Sequence, residues 1–96
     1  MVTHLHLGFK IEDYERWKQG YDESAEHRKE TGEVSYKVFR NAEDPNTVSV
    51  LSVYETAEQI QSWIDSPELH DKMKKAGITE MGQMIMLEET ASGTHE

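Results

Sequence analysis

The 96-residue chain has no cysteine. Disulfides, thiolate nucleophiles and zinc–thiolate sites are all excluded by that one absence. It also lacks a glycine-rich phosphate loop, a Gly-x-Ser-x-Gly elbow and a His-Glu-x-x-His pair. Phosphate cradling, a nucleophile elbow, a helical zinc site and a dinucleotide fold therefore have no sequence support. No apolar run approaches the roughly 20 residues of a membrane span. The opening Met1-Val2-Thr3-His4-Leu5-His6 lacks the charged and apolar regions of a signal peptide, so a cytoplasmic location is expected. Basic residues are scarce, 10 against 19 acidic ones, for a net charge of −9. With no basic stripe, neither nucleic acid nor an anionic membrane is expected as a partner.

Apolar residues are also few, at 35%. A lone domain of this length buries only about 60–65% of its unfolded surface, so a second copy covering an open sheet face would add stability. The length allows one domain, expected over residues 1–89, with a polar, flexible tail over 90–96.

What is present is a clear order of elements. Residues 2–9 alternate, with Thr3, Leu5, Leu7 and Phe9 on one face and Val2, His4, His6 and Gly8 on the other. From Glu12 the period becomes helical. Tyr14, Trp17, Tyr21, Ser24, Ala25 and Arg28 form one stripe, Asp13 is placed as the cap, and Gly32 as the stop. Residues 34–40 read as a second strand and 47–55 as a third, joined through Asp44-Pro45-Asn46. Thr56 to Gln59 fits a capping box opening a second helix, with Ile60, Trp63 and Ile64 on its apolar face. Asp65-Ser66-Pro67 interrupts it, Ser66 capping a further turn that carries Leu69, Met73 and Ala76 before Gly77. Residues 82–88 read as the fourth strand. The sum is an α+β fold of order βαββαβ: one four-stranded antiparallel sheet with two helices on one face.

Several stretches carry a family resemblance: Asp13-Tyr14-Glu15-Arg16-Trp17-Lys18, Tyr21-Asp22, and Arg28 to Gly32 in the first helix. Val38 to Asn41 with Asp44-Pro45-Asn46 joins them, as do Ser66-Pro67-Glu68-Leu69, Met73 and Ala76-Gly77-Ile78. Together these resemble the dimeric α+β barrel proteins, in particular small stand-alone members grouped with antibiotic biosynthesis monooxygenase-like and cyclase-like proteins. The resemblance spans roughly residues 4–89. It implies a ferredoxin-like protomer, a homodimer closed through the sheet face, and a small cavity between sheet and helices. Members range from cofactor-free oxygenases to haem degraders and isomerases, so the fold is implied more sharply than the reaction. Relatives often carry a proline after the Ala76-Gly77-Ile78 segment; here Thr79-Glu80-Met81-Gly82 follows, and a different loop is expected at that end of the cavity.

Candidate chemistry lies in a few side chains. His4 and His6 leave one face of a strand with Cα atoms roughly 6.5–7 Å apart, a spacing that suits a base and an orienting partner. A metal would need a third ligand, for which His70 and several carboxylates are candidates. Arg40, in phase with Tyr36 and Val38, is a candidate to stabilise an enolate. His6, His4 and Arg40 therefore form the expected catalytic set; the alternative is that both histidines face the partner protomer, since Leu5, Leu7 and Phe9 make the natural helix-facing side of that strand. Trp17, Tyr21 and Trp63 are expected as aromatic walls, Tyr36 and Tyr54 as hydrogen-bonding tyrosines, and Met84 and Met86 as adaptable lining. His27 and His70 fall on charged helix segments and are expected in solvent.

With no dedicated cofactor motif, chemistry falls to acid–base work or to oxygenation driven by the substrate. The expected function is a homodimer binding a small aromatic or carbonyl-containing metabolite, as a cofactor-independent monooxygenase or related acid–base enzyme. Alternatives are a non-catalytic ligand-binding or stress-responsive module of the same fold, and a haem-binding protein with an axial histidine. A divalent metal also stays open.

Overall fold

The computed structural model describes residues 2–95 and, within them, every side chain but that of His70. The elements run β1 (Thr3–Ile11), α1 (Tyr14–Glu23), α2 (Ala25–Glu30), β2 (Glu33–Arg40), β3 (Thr47–Tyr54), α3 (Ala57–Ile64), α4 (Pro67–Lys75) and β4 (Ile78–Leu87). The sheet order is β2-β3-β1-β4, and every neighbouring pair is antiparallel. This is the expected ferredoxin-like α+β arrangement, with each of its two helices broken into a pair.

Each break has a local cause. The first reads in sequence as one continuous helix, but Ser24 turns its hydroxyl back onto the Tyr21 carbonyl (2.7 Å), a side-chain bond that competes with the helix ladder. The second break falls at Asp65-Ser66-Pro67 as the sequence suggests. Pro67 holds Ser66 in an extended conformation (ψ 124°) and starts α4 at N1. Ser66 occupies the cap position through its backbone alone, without a side-chain bond. At the other caps the side chains act as read. Asp13 accepts from the Glu15 N–H (3.0 Å), and Thr56 and Gln59 bond reciprocally at 3.2 and 3.0 Å.

Helices α2 and α4 both end in a glycine at positive φ, Gly32 at 110° and Gly77 at 84°. The Gly32 carbonyl accepts from the Glu55 N–H (3.1 Å) and the Gly77 carbonyl from the Glu12 N–H (2.9 Å). Each half of the chain thus pins its helix exit to the helix entry of the other half. A side chain at Gly32 would also run into Gln59, the residue that completes the capping box.

The fourth strand begins four residues before its expected start. Met81 pairs with Phe9 and Gln83 with Gly8, so Gly82 is the extra residue of a bulge and β1 keeps a partner as far as Ile11. The segment Thr79 to Gly82, expected as a loop, is therefore strand. Leu5, Leu7, Phe9 and Ile11 face the helices with Val48, Val50 and Tyr54, and Trp17 and Ile60 close the core over them. Residues 88–95 have no regular structure.

Candidate functional site

The two helix pairs leave a cavity of about 650 Å³ between them, above the central strands. Leu7, Phe9, Val50 and Ile78 make its floor. Trp17, Gly20 and Tyr21 on α1 form one wall, and Trp63, Leu69, Met73 and Ala76 form the other. The helical spacing of Trp17 and Tyr21 stacks their rings, centroids 5.1 Å apart and 25° between planes. Phe9 meets Trp17 edge-on at 5.4 Å, and Tyr36 meets Tyr21 edge-on at 5.6 Å. A cavity of this size, whose exposed surface is largely apolar while charged side chains stand around it, suits a small organic molecule.

The polar end of the cavity is built around Arg28. It falls in phase with Tyr21 and Ser24 at steps of seven and four residues, so the α2 turn carries a guanidinium into the buried stripe. The side chains of Arg28 and Glu33 are each 5% exposed. Nε donates to both Glu33 oxygens, at 3.0 and 3.2 Å, while Nη1 donates to the Tyr21 carbonyl and Ser24 Oγ. The guanidinium also lies over the Tyr21 ring, 3.7 Å from its centroid. Among the described residues, the buried Arg28 Nη2 has no protein hydrogen-bond partner, and the buried Tyr21 Oη has none but the nearby Ser52 side chain, which it meets outside ideal geometry. Both residues line the cavity.

Burial pushes the Tyr21 phenol up to about 12, against the pull of the Arg28 charge. Burial likewise pushes Tyr54 up, with the Glu33 charge adding to it. At neutral pH Tyr21 is therefore a neutral hydroxyl, able to donate. His27 stands where the cavity meets a second, more polar hollow lined by Thr31, Thr56, Gln59 and Ser66, and Trp63 borders both. Among the described residues no group of three His, Cys, Asp or Glu side chains is placed to hold a metal ion. Nor is any helix there long and apolar enough to cross a membrane.

The sequence profile of the antibiotic biosynthesis monooxygenase family matches residues 6–75. The chain belongs to this family. Solved structures agree on the fold at low identity. A Bordetella bronchiseptica protein carrying the same family name superposes with a TM-score of 0.77 at 11% identity, covering 94% of this chain and 98% of its own. SnoaB, a cofactor-independent oxygenase from Streptomyces nogalater, gives 0.72 at 12% identity over 95% and 94%. Rv0793 from Mycobacterium tuberculosis gives 0.70 at 13% identity over 98% and 100%. A comparison with curated proteins finds no significant match.

In this member of the antibiotic biosynthesis monooxygenase family, the residues singled out from sequence divide between two faces. Trp17, Tyr21 and Trp63 come together in the cavity wall. Tyr36 stands beside Tyr21 on the helix side of the sheet, and Tyr54 is fully buried in the core. Met84 packs against the core, and Met86, paired with Leu5, is exposed toward the edge; neither lines the cavity. The expected catalytic set does not converge. His4 and His6 alternate with Leu5 and Leu7 and so leave the opposite face of the sheet, with His4 Nε2 3.7 Å from Glu89 Oε2. Arg40 is on the helix side but outside the cavity, its guanidinium 4.6 Å from the Tyr14 ring centroid. His27, read as a solvent residue, is exposed and yet borders the cavity; the His70 side chain lies outside the described residues. Arg28, which stands in the aromatic stripe of the first helix, and Glu33 are not among the site residues expected from sequence. The signal for Arg28 was a cation in phase with an aromatic stripe, whereas nothing local marks Glu33, which meets Arg28 only after the chain turns at Gly32.

Proposed function

We propose that this protein is a cofactor-independent monooxygenase whose cavity binds a planar aromatic metabolite bearing an activated carbon next to a carbonyl. The observation that carries the reading is the buried Arg28 Nη2, without a protein partner among the described residues, with the Tyr21 phenol beside it and stacked aromatic walls around them in a chain of this family. A ring carbonyl reaching that end receives a charge-assisted hydrogen bond and a neutral phenol, which stabilise the oxyanion that forms on deprotonation. His27, at the cavity border, takes the proton. The resulting carbanion, flanked by the carbonyl, passes electrons to dioxygen and forms a C–O bond. The peroxide is protonated and loses water, so a CH2 becomes C=O with one oxygen atom from O2 and the other released as water. The substrate supplies the electrons, and Trp17 and Trp63 hold it flat while excluding bulk water.

The same reading includes a homodimer through the sheet face opposite the helices. Phe39, Leu51, Ile85 and Leu87 are exposed on that face, an apolar surface that supports a protein partner.

The test is turnover of an anthrone-type ketone, followed by quinone absorbance and by oxygen uptake. Wild type accelerates both together. His27→Ala and Tyr21→Phe lower kcat by roughly 10²–10⁴-fold, the usual worth of a positioned acid or base, while retaining the fold by circular dichroism. Binding without any acceleration over buffer across a panel of such ketones would assign the cavity to ligand sequestration instead.

A further inference from the structure

The cavity's charge runs opposite to that of the chain. The protein carries 19 acidic residues against 10 basic ones. The cavity lining, however, contains Arg16, Arg28, Lys72 and Lys75 against the single carboxylate of Glu23. Two of these cations are engaged. Arg28 is paired with Glu33, and Arg16 reaches Glu12 (3.4 Å) and the Lys75 carbonyl (2.7 Å). Lys72 and Lys75 have no carboxylate within 4.0 Å among the described residues, although Glu68 and Asp71 stand four positions before them on α4. Two unpaired ammonium groups thus border an apolar cavity whose far end holds the buried Arg28.

We propose that the cavity selects an anionic ligand: a planar aromatic acid whose rings lie between Trp17 and Trp63 and whose acid group is held at the α4 side by Lys72 and Lys75. This rests on the reading of the cavity as a ligand site and adds the charge of its occupant. Lysine suits the role as a flexible point charge that meets an acid group at the water-exposed end without demanding fork geometry. The contrasting explanation is that these lysines only complement the C-terminal end of the α4 dipole. Lys74 separates the two, since it sits in the same last turn and does not line the cavity.

Trp17 and Trp63, both in the wall, report binding by their fluorescence. Anthraquinone carboxylate and the matching uncharged carboxamide are titrated into the full chain at low salt. The carboxylate binds tighter by roughly tenfold, from two partly screened charges near the acid group, and the preference shrinks as salt is added. In the double variant Lys72→Gln, Lys75→Gln the two ligands bind alike, at the carboxamide's wild-type affinity. Lys74→Gln keeps the preference. Equal affinity of the two ligands for wild type overturns the anion inference and leaves the cavity reading standing; a preference that survives in the double variant, or falls equally in Lys74→Gln, overturns the assignment of the acid group to Lys72 and Lys75. Binding of neither ligand up to millimolar concentration overturns the cavity reading together with this inference.

Discussion

The two faces of the sheet share the same four strands and differ in nearly every physical respect. Toward the helices, Leu5, Leu7, Phe9 and Ile11 are buried beside Val48 and Val50, with Leu5 only 1% exposed. One residue along, His4, His6, Gly8 and Lys10 point the other way. In register, His6 lies between Leu51 and Ile85, and His4 between Val53 and Leu87. The open face is thus not the polar surface that strand alternation normally gives a one-sided sheet. Its histidines are set among apolar side chains, Phe39 and Ile85 being 50% and 45% exposed. One face is finished within the chain, and the other has the composition of a surface that a partner would finish.

The sharpest way to break this contrast is to attack the finished side. Arg28→Ala strands the Glu33 carboxylate in a buried site, and Leu5→Ala opens a hole under the helices. The first is expected to cost about 3–5 kcal/mol and the second about 2–5 kcal/mol, read from urea midpoints. Lys37→Ala on the open face is expected to stay within about 0.5 kcal/mol, and a comparable loss there would erase the distinction. Leu51→Lys tests the second half of the contrast. It is expected to convert dimer to monomer by light scattering at micromolar concentration; wild type that is already a monomer would remove the partner from the account.

A further expected effect is in the alkaline titration. Tyr21, pushed up to about 12 chiefly by burial, holds its proton more tightly folded than unfolded. Its contribution is complete below the ordinary tyrosine value of about 10 and is lost as pH rises from there toward 12. Stability measured from pH 9 to 12 is therefore expected to fall, and to fall less steeply in Tyr21→Phe. An unchanged slope would place the tyrosine in water.

Much of the fold was legible because it rests on local rules. Period-two alternation sorted Leu5, Leu7 and Phe9 from His4 and His6, Thr56 and Gln59 closed the box their spacing requires, and Gly32 and Gly77 took the left-handed stops. The break at Ser24 was less so, because a serine inside a helical stripe is compatible with continuity until its hydroxyl turns onto Tyr21. The early start of the fourth strand depended on a bulge at Gly82, set by what β1 offered as a partner.

The site divides the same way. Trp17, Tyr21 and Trp63 could be picked out as walls, because large rings at helical spacing must meet the sheet. The sequence by itself determined which side chains share a face, since parity and helical period are properties of neighbouring residues. Only the tertiary structure decided that Arg28 meets Glu33, that the cavity gathers cations in an acidic chain, and that Arg40 lies outside it against Tyr14. Those facts depend on where distant elements come to rest, and that is set by the packing of whole faces against one another.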